Sequence, residues 1–466
     1  MFTVTMTSQQ RLVLSVAILA SFVAFLDGSV VNVALPAISS ELGGGLSTQQ
    51  WVVDAYLITL GALILVAGSL SDVYGRVVVI RVGLWGFGLT SLLCALAPNV
   101  EVLIVSRGLQ GIAGALLVPS SLAIIMSAFR GAAQAKAIGS WTAWTSAAFI
   151  AGPVVGGLFV DMVSWRLVFA INLIPIAVTI FLLAKIEQKG ERDHGTRIDF
   201  AGAVLAIVGV GAPVFALIEQ GNYGWASPVI WLPMAIGVLA FAGFLWRQAT
   251  AAQPMMPLNL FRVRNFAVGN LATLFIYGAL AMSGFIVVVF LQQTGGWPAI
   301  LAGIAVLPVT IILMLLSSVF GGLSGKYGPR LFMSVGPIIA GLGHLLMLSV
   351  TADVNYWWQL LPGILLFGLG LSITVAPLTA AILGSISEKQ SGIGSAINNA
   401  IARVAGLVAV AMLGIIVVER LDVDGVHRAL IVCAALLIVG GVISAIGIQN
   451  PANIAQESTE NAAVDQ

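Results

Sequence analysis

Three ionisable side chains lie inside long apolar runs of the sequence, where charge is rare. Asp27 stands in the run LASFVAFLDGSVVNVALPAI, nine residues before Pro36, and Asp54 and Arg107 stand in two further runs. A charged side chain at the centre of a bilayer costs about 2.5–3.5 kcal/mol, so a protein retains it for a pairing or a function. The chemistry that such a carboxyl group offers is the uptake and release of a proton.

The chain that must position these groups is too apolar for a water-soluble protein. Of its 466 residues 59% are hydrophobic and 8% are charged, and the mean hydropathy is +1.06. Apolar segments of about 20 residues recur throughout, each able to cross a bilayer as a helix. They predict an all-α polytopic membrane protein with about fourteen transmembrane helices. The spans lie near 12–36, 50–71, 77–97, 101–126, 137–160, 165–185, 198–219, 229–247, 265–292, 298–323, 331–350, 357–383, 394–418 and 428–448.

The basic residues between the spans set the expected orientation. Most of the twenty Lys and Arg residues fall on the side of the amino terminus, whereas the other side holds Arg166, Arg420 and Arg428. Basic loops stay in the cytoplasm, so both termini are predicted to be cytoplasmic, in the cell membrane. The charged break 185–199 is then an internal linker, and the tail 451–466 is predicted to be disordered. A net charge of +1 gives no reason to expect nucleic acid.

The depth of each charge follows from its distance to the predicted helix end. At 1.5 Å per residue, Asp27 lies about 13 Å below the outer end of the first helix, if Pro36 closes that helix. Arg107 lies about 9 Å and Asp54 about 6 Å below the outer ends of their own helices. We expect Arg107, with Gln110 beside it, to be a structural or proton-linked partner of Asp27. Asp54 either takes part in binding or lies among the lipid headgroups.

An internal repeat divides the chain into two similar halves. The segment GSLSDVYGR (68–76) returns as GGLSGKYGPR (321–330), with Gly325 in the place of Asp72. Six helices then form each half, and the seventh and eighth are an inserted pair. The predicted domains are an amino-terminal bundle 1–190, a central pair with linkers 191–264, a carboxyl-terminal bundle 265–450 and the tail. Duplicated bundles that move around a midplane site are typical of secondary transporters.

The sequence resembles the major facilitator superfamily, specifically its fourteen-helix drug:proton antiporters. The segments that carry the resemblance are LDGSVVNVALP (26–36), GSLSDVYGRVVVI (68–80), SRGLQGIAGALLVP (106–119) and AGPVVGG (151–157). The resemblance implies two bundles of six helices with two extra central helices. It also implies efflux, because the glycine-proline segment of the fifth helix is associated with exporters.

Two groups of residues take expected roles from this resemblance. The turn with Gly68, Asp72, Gly75 and Arg76 is expected to be a conformational gate that locks the outward-facing state. The alternative is a solvated loop that follows the positive-inside bias. The antiporter motif consists of Gly152, Pro153, Gly156 and Gly157.

Opposing influences on Asp27 predict a mechanism. Burial favours the neutral carboxyl group, while a guanidinium or a cationic cargo favours the charged one, so proton and cargo can compete for it. The alternative is a buried structural hydrogen bond. Arg107 is the expected partner in proton coupling. Arg403, within the thirteenth helix, is expected to extend towards the interface or to bind a carbonyl. The candidate substrate-binding residues, each also compatible with helix packing, are Asp27, Asp54, Tyr56, Gln110, Trp144, Gln292 and Asn399.

The expected energy source is a proton gradient. No phosphate-binding loop is present, because the nearest approach, SGKYG at 324–328, has Phe320 at the first glycine position. No cofactor and no metal ion are expected. The predicted function is therefore the export of lipophilic, cationic small molecules in exchange for protons, by a monomer in the lipid bilayer that is not an enzyme. The alternative is a proton-coupled or facilitated transporter of a specific metabolite.

Overall fold

The computed structural model describes residues 6–186, 198–387, 390–417 and 421–450, and in these ranges the regular structure is helical. Thirteen of the described helices are long and apolar enough to cross a membrane, and a shorter apolar segment, Leu167–Leu183, occupies the place of the predicted sixth span. The prediction of an all-α, multi-pass membrane protein is confirmed. The predicted disorder of 451–466 lies outside the described residues.

The amino-terminal half contains the first six spans, the sixth of which is divided in two. Its helices are α1 (Ser8–Leu42), α2 (Gly45–Tyr74), α3 (Arg76–Ala95), α4 (Val100–Ala128), α5 (Gly131–Met162), α6 (Leu167–Ala170) and α7 (Leu173–Leu183). We call the side on which α1 begins the terminal face. The side on which α1 ends and α2 begins is the opposite face.

Two helices follow that belong to neither repeat, and the carboxyl-terminal half comes after them. The central pair is α8 (Phe200–Tyr223) and α9 (Pro228–Thr250). The carboxyl-terminal helices are α10 (Arg264–Gln293), α11 (Ala299–Ala305), α12 (Leu307–Tyr327), α13 (Pro329–Leu346), α14 (Leu361–Leu383), α15 (Ser391–Ala411), α16 (Leu413–Ile416) and α17 (Val423–Gly447). Short 3-10 turns at Leu258–Arg262 and Met347–Ser349 and a π-helical turn at Tyr356–Leu360 complete the described helical structure.

The prediction that Pro36 closes the first helix is wrong. The helix continues to Leu42, with Pro36 inside it. Pro36 has no N–H to donate to the Asn32 carbonyl four residues earlier, a loss that membrane helices tolerate. Asp27 therefore lies about 22 Å from the opposite end of α1, close to the middle of the helix.

The helices pack closely because small residues line their contacts. A Cβ atom on Gly370 of α14 would fall on the backbone of α13 at Gly336 and Ala340. A Cβ on Gly111 of α4 would likewise fall on the backbone of Tyr56 in α2. Close backbone approach is the usual way in which helices gain van der Waals contact in a membrane, where no hydrophobic effect drives them together.

The two copies of the repeated segment adopt the same turn. Gly75 ends α2 with φ of +90°, and Gly328 ends α12 with φ of +83°. Both values lie in the left-handed region that favours glycine. The sequence repeat is therefore also a structural repeat.

The central pair is held together at the terminal face by Asp199, which precedes α8. One carboxylate oxygen of Asp199 accepts from the Gly202 backbone N–H at 2.9 Å and from Arg247 Nε of α9 at 2.6 Å, and the other accepts from Gln248 Nε2 at 3.3 Å. Burial raises the pKa of Asp199, but these donors outweigh it and leave the pKa below its usual value. The carboxylate caps α8 and joins it to the end of α9.

Candidate functional site

Asp27 is fully buried inside the amino-terminal half, and three donors surround its carboxylate. Arg107 Nη1 of α4 lies 2.5 Å from Oδ2, and the Gln110 and Asn172 side-chain amides donate to Oδ1 at 3.0 and 2.8 Å. The Gln110 amide also donates to the Ser91 hydroxyl at 2.9 Å. Every partner donates, and an acceptor with three donors fits the ionised carboxylate.

Arg107 is enclosed by the protein and held through its Nε and Nη1 atoms, with a side chain that is only 2% exposed. Its Nε donates to the Val52 carbonyl of α2 at 2.9 Å, and Nη1 donates to Gln110 Oε1 at 2.6 Å. The guanidinium carbon lies 4.4 Å from the ring centre of Tyr56 and 5.6 Å from that of Phe169. The site thus joins α1, α2, α3, α4 and the segment between α6 and α7.

The structure brings together four of the sequence candidates, Asp27, Tyr56, Arg107 and Gln110. Two further members of the site, Ser91 and Asn172, were not predicted from the sequence. Both are fully buried polar side chains in apolar segments. Neutral polar residues in predicted spans were the available signal, but which of them reach the same point depends on how the helices pack.

Asp54 does not join this group. It shares a face of α2 with Gln50, four residues earlier, whose amide donates to two carbonyls of α15 at 2.7 and 3.1 Å. Val52, the partner of Arg107, lies on the other side of α2, since two residues turn a helix by more than half a circle. Asp54 is fully buried, and neither carboxyl oxygen has a hydrogen-bond partner. Asp54 therefore lies away from the Asp27 site, inside the protein instead of at the headgroups.

The hydrogen bonds that the described residues form between the two halves lie near the opposite face. Gln50 of α2 binds the end of α15, and Gln292 Nε2 of α10 donates to the Val33 carbonyl of α1 at 3.0 Å. Asp161, near the end of α5, accepts from the backbone N–H groups of Ala299 and Ile300 at 2.9 and 2.8 Å. We call this region the seal, because it closes the space between the halves on the opposite face.

The antiporter motif supplies the close approach that the seal needs. A Cβ on Gly152 would collide with Ser29 of α1 and one on Gly156 with Val30, while a Cβ on Gly157 would fall on the backbone of Ile300. The Pro153 carbonyl oxygen would lie 2.7 Å from a Cβ placed on Gly303 of α11. The motif therefore packs α5 against both α1 and the other half.

The turn expected to act as a gate lies at the terminal face. Gly75 ends α2, and its N–H donates to the Ser71 carbonyl at 3.1 Å. A Cβ added to Gly68 or Gly75 would meet no atom within 4 Å, and the same holds at Gly325 in the second copy. Arg76 is half-buried at the start of α3, and the side chain of Asp72 lies outside the described part. Open space thus surrounds these three glycines, in contrast to the packed seal, whereas a Cβ on Gly328, the counterpart of Gly75, would collide with the side chain of Asn450.

A central cleft separates the halves at mid-depth. Arg403 of α15 faces Phe25 of α1, with 5.8 Å between the guanidinium carbon and the ring centre. Gly28, three residues along the same face of α1, is exposed, and a Cβ there would meet no atom within 4 Å. Tyr277 of α10 is half-buried near Arg403, and Asn399, one turn before Arg403, is exposed. We use the name central cleft for the space lined by these five residues.

The remaining substrate candidates lie in different places. Gln292 belongs to the seal, and Asn399 lines the cleft, where its amide donates only to Ser395 of its own helix at 3.0 Å. Trp144 is 60% exposed. Nine residues, or two and a half turns, separate it from Pro153, which faces the other half. Trp144 is thus exposed on the side of α5 that points away from the carboxyl-terminal half.

Arg403 differs from its expected behaviour. Within the described residues its guanidinium forms neither a hydrogen bond to a carbonyl nor an ion pair, and its one contact of this kind is with the Phe25 ring. It lies twelve residues after Ser391, about 18 Å from the terminal end of α15, too far for the side chain to reach that interface. The expectation failed because the cleft, invisible in the sequence, gives the side chain space at mid-depth.

Comparison with known proteins identifies relatives over most of the chain. The sequence model described as Major Facilitator Superfamily matches residues 17–410, and a second match covers 269–462. The multidrug resistance protein Stp of Mycobacterium tuberculosis (strain CDC 1551 / Oshkosh) is 33% identical over 88% of this chain and 76% of that protein. The methylenomycin A resistance protein of Bacillus subtilis (strain 168) is 32% identical over 87% of each chain. The tetracenomycin C resistance and export protein of Streptomyces glaucescens is 31% identical over 87% of this chain and 76% of that protein.

Solved structures share the fold at low sequence identity. A D-xylose-proton symporter superposes with a TM-score of 0.67 at 12% identity, covering 95% of this chain and 97% of that one. The peptide transporter POT in complex with sulfate superposes with a TM-score of 0.69 at 15% identity, covering 95% of each chain. Likeness at this level of identity concerns the fold alone.

Proposed function

The chain belongs to the major facilitator superfamily, among its drug-efflux proteins, and we propose that it exports lipophilic small molecules in exchange for protons by alternating access. Its relatives bear the names of drug and antibiotic resistance proteins, and it is a multi-pass membrane protein and not an enzyme. The observation that carries the proton-coupled part of the proposal is the carboxylate of Asp27, buried at mid-membrane against Arg107.

The proposed orientation places the terminal face in the cytoplasm. Most basic residues of the breaks between spans lie on that face, as the positive-inside rule requires of cytoplasmic loops. With the seal closed on the opposite face and open space around Gly68 and Gly75, the structure then corresponds to the inward-facing state. A cargo would enter the central cleft from the cytoplasm in this state.

The proton cycle follows from the donors around Asp27. In the inward-facing state three donors hold the carboxylate, which suits the form that has released its proton to the cytoplasm. When the seal opens, water from the outside would reach α1 from the opposite face and bring a proton to Asp27. Protonation would weaken the ion pair with Arg107 and change the packing of α1 against α4.

Coupling between proton and cargo is indirect in this proposal. The sequence suggests that both compete for the carboxylate of Asp27, but Asp27 is fully buried and faces away from the cleft. Phe25 and Gly28, on either side of it in sequence, line the cleft instead. The helix α1 would therefore transmit the state of Asp27 to the cargo. A cationic cargo, which the sequence suggests, finds no exposed carboxylate among the described residues of the cleft.

The proposal is tested by Asp27→Asn in cells loaded with fluorescent dyes. Ethidium, a bisbenzimide and fluorescein would be followed during efflux, with and without a protonophore. We expect the unaltered protein to export at least one dye, and both the protonophore and Asp27→Asn to reduce that export to the level of cells lacking the protein. The matched control is Asp353→Asn, which removes an exposed carboxylate between α13 and α14 and should export normally.

Two results would contradict the proposal. Export that survives the protonophore would show that no proton gradient drives it. Export that is undiminished in Asp27→Asn, at normal expression, would remove Asp27 from the coupling. The first of these results has an equivalent in reconstituted vesicles: movement of a verified cargo without any change of internal pH would also show that protons do not drive the export.

A further inference from the structure

We propose that the central cleft recognises aromatic cargo that carries an anionic group, and that Arg403 is the side chain that binds this group. The proposal rests on the proposed function and names the chemical class of its cargo. Four observations lead to it, concerning the depth of Arg403, its lack of partners, its neighbours and the other charges at the same depth.

Arg403 lies at the middle of its membrane span. The span covers Ser391–Ile416, and Arg403 is the thirteenth of its 26 residues. A basic side chain at this depth is costly, and in membrane proteins such residues pair with other groups or mark the path of a substrate or ion. Arg107, at 1% exposure, shows how this protein satisfies an arginine that serves its internal structure.

Arg403 has no such arrangement. Within the described residues, its guanidinium forms neither a hydrogen bond nor an ion pair and contacts the face of the Phe25 ring. The side chain is half-buried, so it is open to the cleft. Its five N–H donors are therefore free for a ligand, and their planar fork matches a carboxylate, sulfonate or phosphate group with two parallel hydrogen bonds.

The neighbours of Arg403 suit the rest of such a cargo. Phe25 from the amino-terminal half and Tyr277 from the carboxyl-terminal half provide aromatic surfaces on both sides of the cleft. Asn399 lies one turn from Arg403 with an exposed amide, whereas the next side chain, Asn398, is held by Asn270 and Thr273 of α10. An apolar space with a few polar groups at one point is the usual composition of a binding site.

The acids at this depth are turned away from the cleft. Asp27 is held by three donors inside the amino-terminal half, and Asp54 is fully buried on the face of α2 that it shares with Gln50. Among the described residues, Arg403 is thus the charged side chain that the cleft presents at mid-depth. Charge interactions are strong in this weakly polar setting, so an anionic group gains and a cationic group loses by binding next to Arg403.

The test measures equilibrium binding of two dyes to the purified full chain in detergent. Fluorescein and rhodamine 123 share a xanthene ring system but carry opposite charge at mildly alkaline pH. Fluorescence anisotropy gives both affinities for the unaltered protein, for Arg403→Gln and Arg403→Lys, and for the matched control Arg262→Gln. Arg262 lies on the exposed surface before α10, so its loss changes the net charge equally without touching the cleft.

We expect the unaltered protein and Arg262→Gln to bind fluorescein more tightly than rhodamine 123. Arg403→Gln should weaken fluorescein binding by about 10- to 100-fold, the loss typical of a hydrogen bond to a charged group, and leave rhodamine 123 binding equal or stronger. Arg403→Lys keeps the charge and loses the fork, so its affinity for fluorescein should fall between the two.

Several results would overturn the proposal. These are tighter binding of rhodamine 123 than of fluorescein, binding of neither dye by the unaltered protein, unchanged fluorescein binding in Arg403→Gln, or an equal loss of both dyes. If Arg403→Gln fails to fold, the lysine variant decides: fluorescein binding as tight as in the unaltered protein would then refute the role of the fork. Because no gradient is present, a negative result here leaves proton-driven export, tested with Asp27→Asn, as a separate question.

Discussion

Arg107 and Arg403 are two arginines within membrane spans whose surroundings are opposite in kind. Arg107 reaches the carboxylate of Asp27, the amide of Gln110 and a backbone carbonyl, all within one half of the protein. Arg403 stands between the halves, where the described structure offers it an aromatic ring and open space. The same side chain is thus part of a closed network in one place and available to a ligand in the other.

The difference fits the two tasks that we propose for the two places. Donors from α4 and from the segment between α6 and α7 surround the carboxylate of Asp27, where the proposed change of protonation would alter the packing of α1. Among the described residues the cation of the cleft has no ionic partner, and the proposed cargo would supply one. Since α1 carries both Asp27 and Phe25, one helix touches both places. In the proposed cycle a conformational change of α1 would therefore link them.

The largest expected effect tests the comparison directly through stability. Arg107→Gln leaves the carboxylate of Asp27 buried without its charged partner, a change that costs about 3–5 kcal/mol of unfolding free energy. Arg403→Gln removes no partner and should leave stability unchanged or slightly higher. Thermal unfolding of the two purified variants in detergent measures the difference. Equal destabilisation by both variants would show that Arg403 also serves the internal structure.

An intermediate effect concerns the seal, which decides the face from which the cleft is reached. Gly157→Ala places a methyl group against the backbone of Ile300, and such overpacking costs about 1–3 kcal/mol. The variant should shift the protein towards the outward-facing state. A cysteine introduced at Gly28, labelled from each side of the membrane, reports the shift, because Cys94 and Cys433 are buried.

The control for this experiment lies in the same helix. A Cβ on Gly139 of α5 would meet no atom within 4 Å, so Gly139→Ala should leave the labelling pattern unchanged. Equal labelling in Gly157→Ala and Gly139→Ala would mean that the close approach of α5 to α11 does not hold the seal shut.

The smallest effect concerns a third arginine, Arg247, which is paired at the membrane surface. Its partner Asp199 has a lowered pKa in the folded protein, so it contributes stability above the usual aspartate pKa, and this contribution disappears as pH falls through the folded value. Asp199→Asn keeps the helix cap and removes the charge. Because Arg247 is 42% exposed, the loss at neutral pH should be about 1 kcal/mol or less.

The measurement is the unfolding midpoint of both proteins as a function of pH. The unaltered protein should have a higher unfolding midpoint than Asp199→Asn at neutral pH, and this difference should vanish in acid. A difference that stays constant across this range would show that the charge of Asp199 contributes nothing.

The sequence by itself determined the class, the spans and the family. Apolar segments long enough to cross a bilayer must become helices, because an unpaired backbone has no water to bind there. Charged side chains are equally rare in such segments, which marked Asp27 and Arg107 as candidates, and their similar depth predicted that they pair. The repeat at 68–76 and 321–330 likewise predicted two similar halves. These inferences depend on local composition, which the sequence carries completely.

Only the tertiary structure decided which buried groups meet. The rotation of each helix against its neighbours decides where a side chain points. It turns Asp54 away from the Asp27 site, brings Ser91 and Asn172 to that site, and exposes Trp144. In these runs most faces of a helix are apolar, so the sequence gives little sign of which face points inward. The lack of a hydrogen-bond or ionic partner for Arg403 among the described residues depends further on the space between the two halves. That space arises from closing one face of the molecule, a property of the assembled fold.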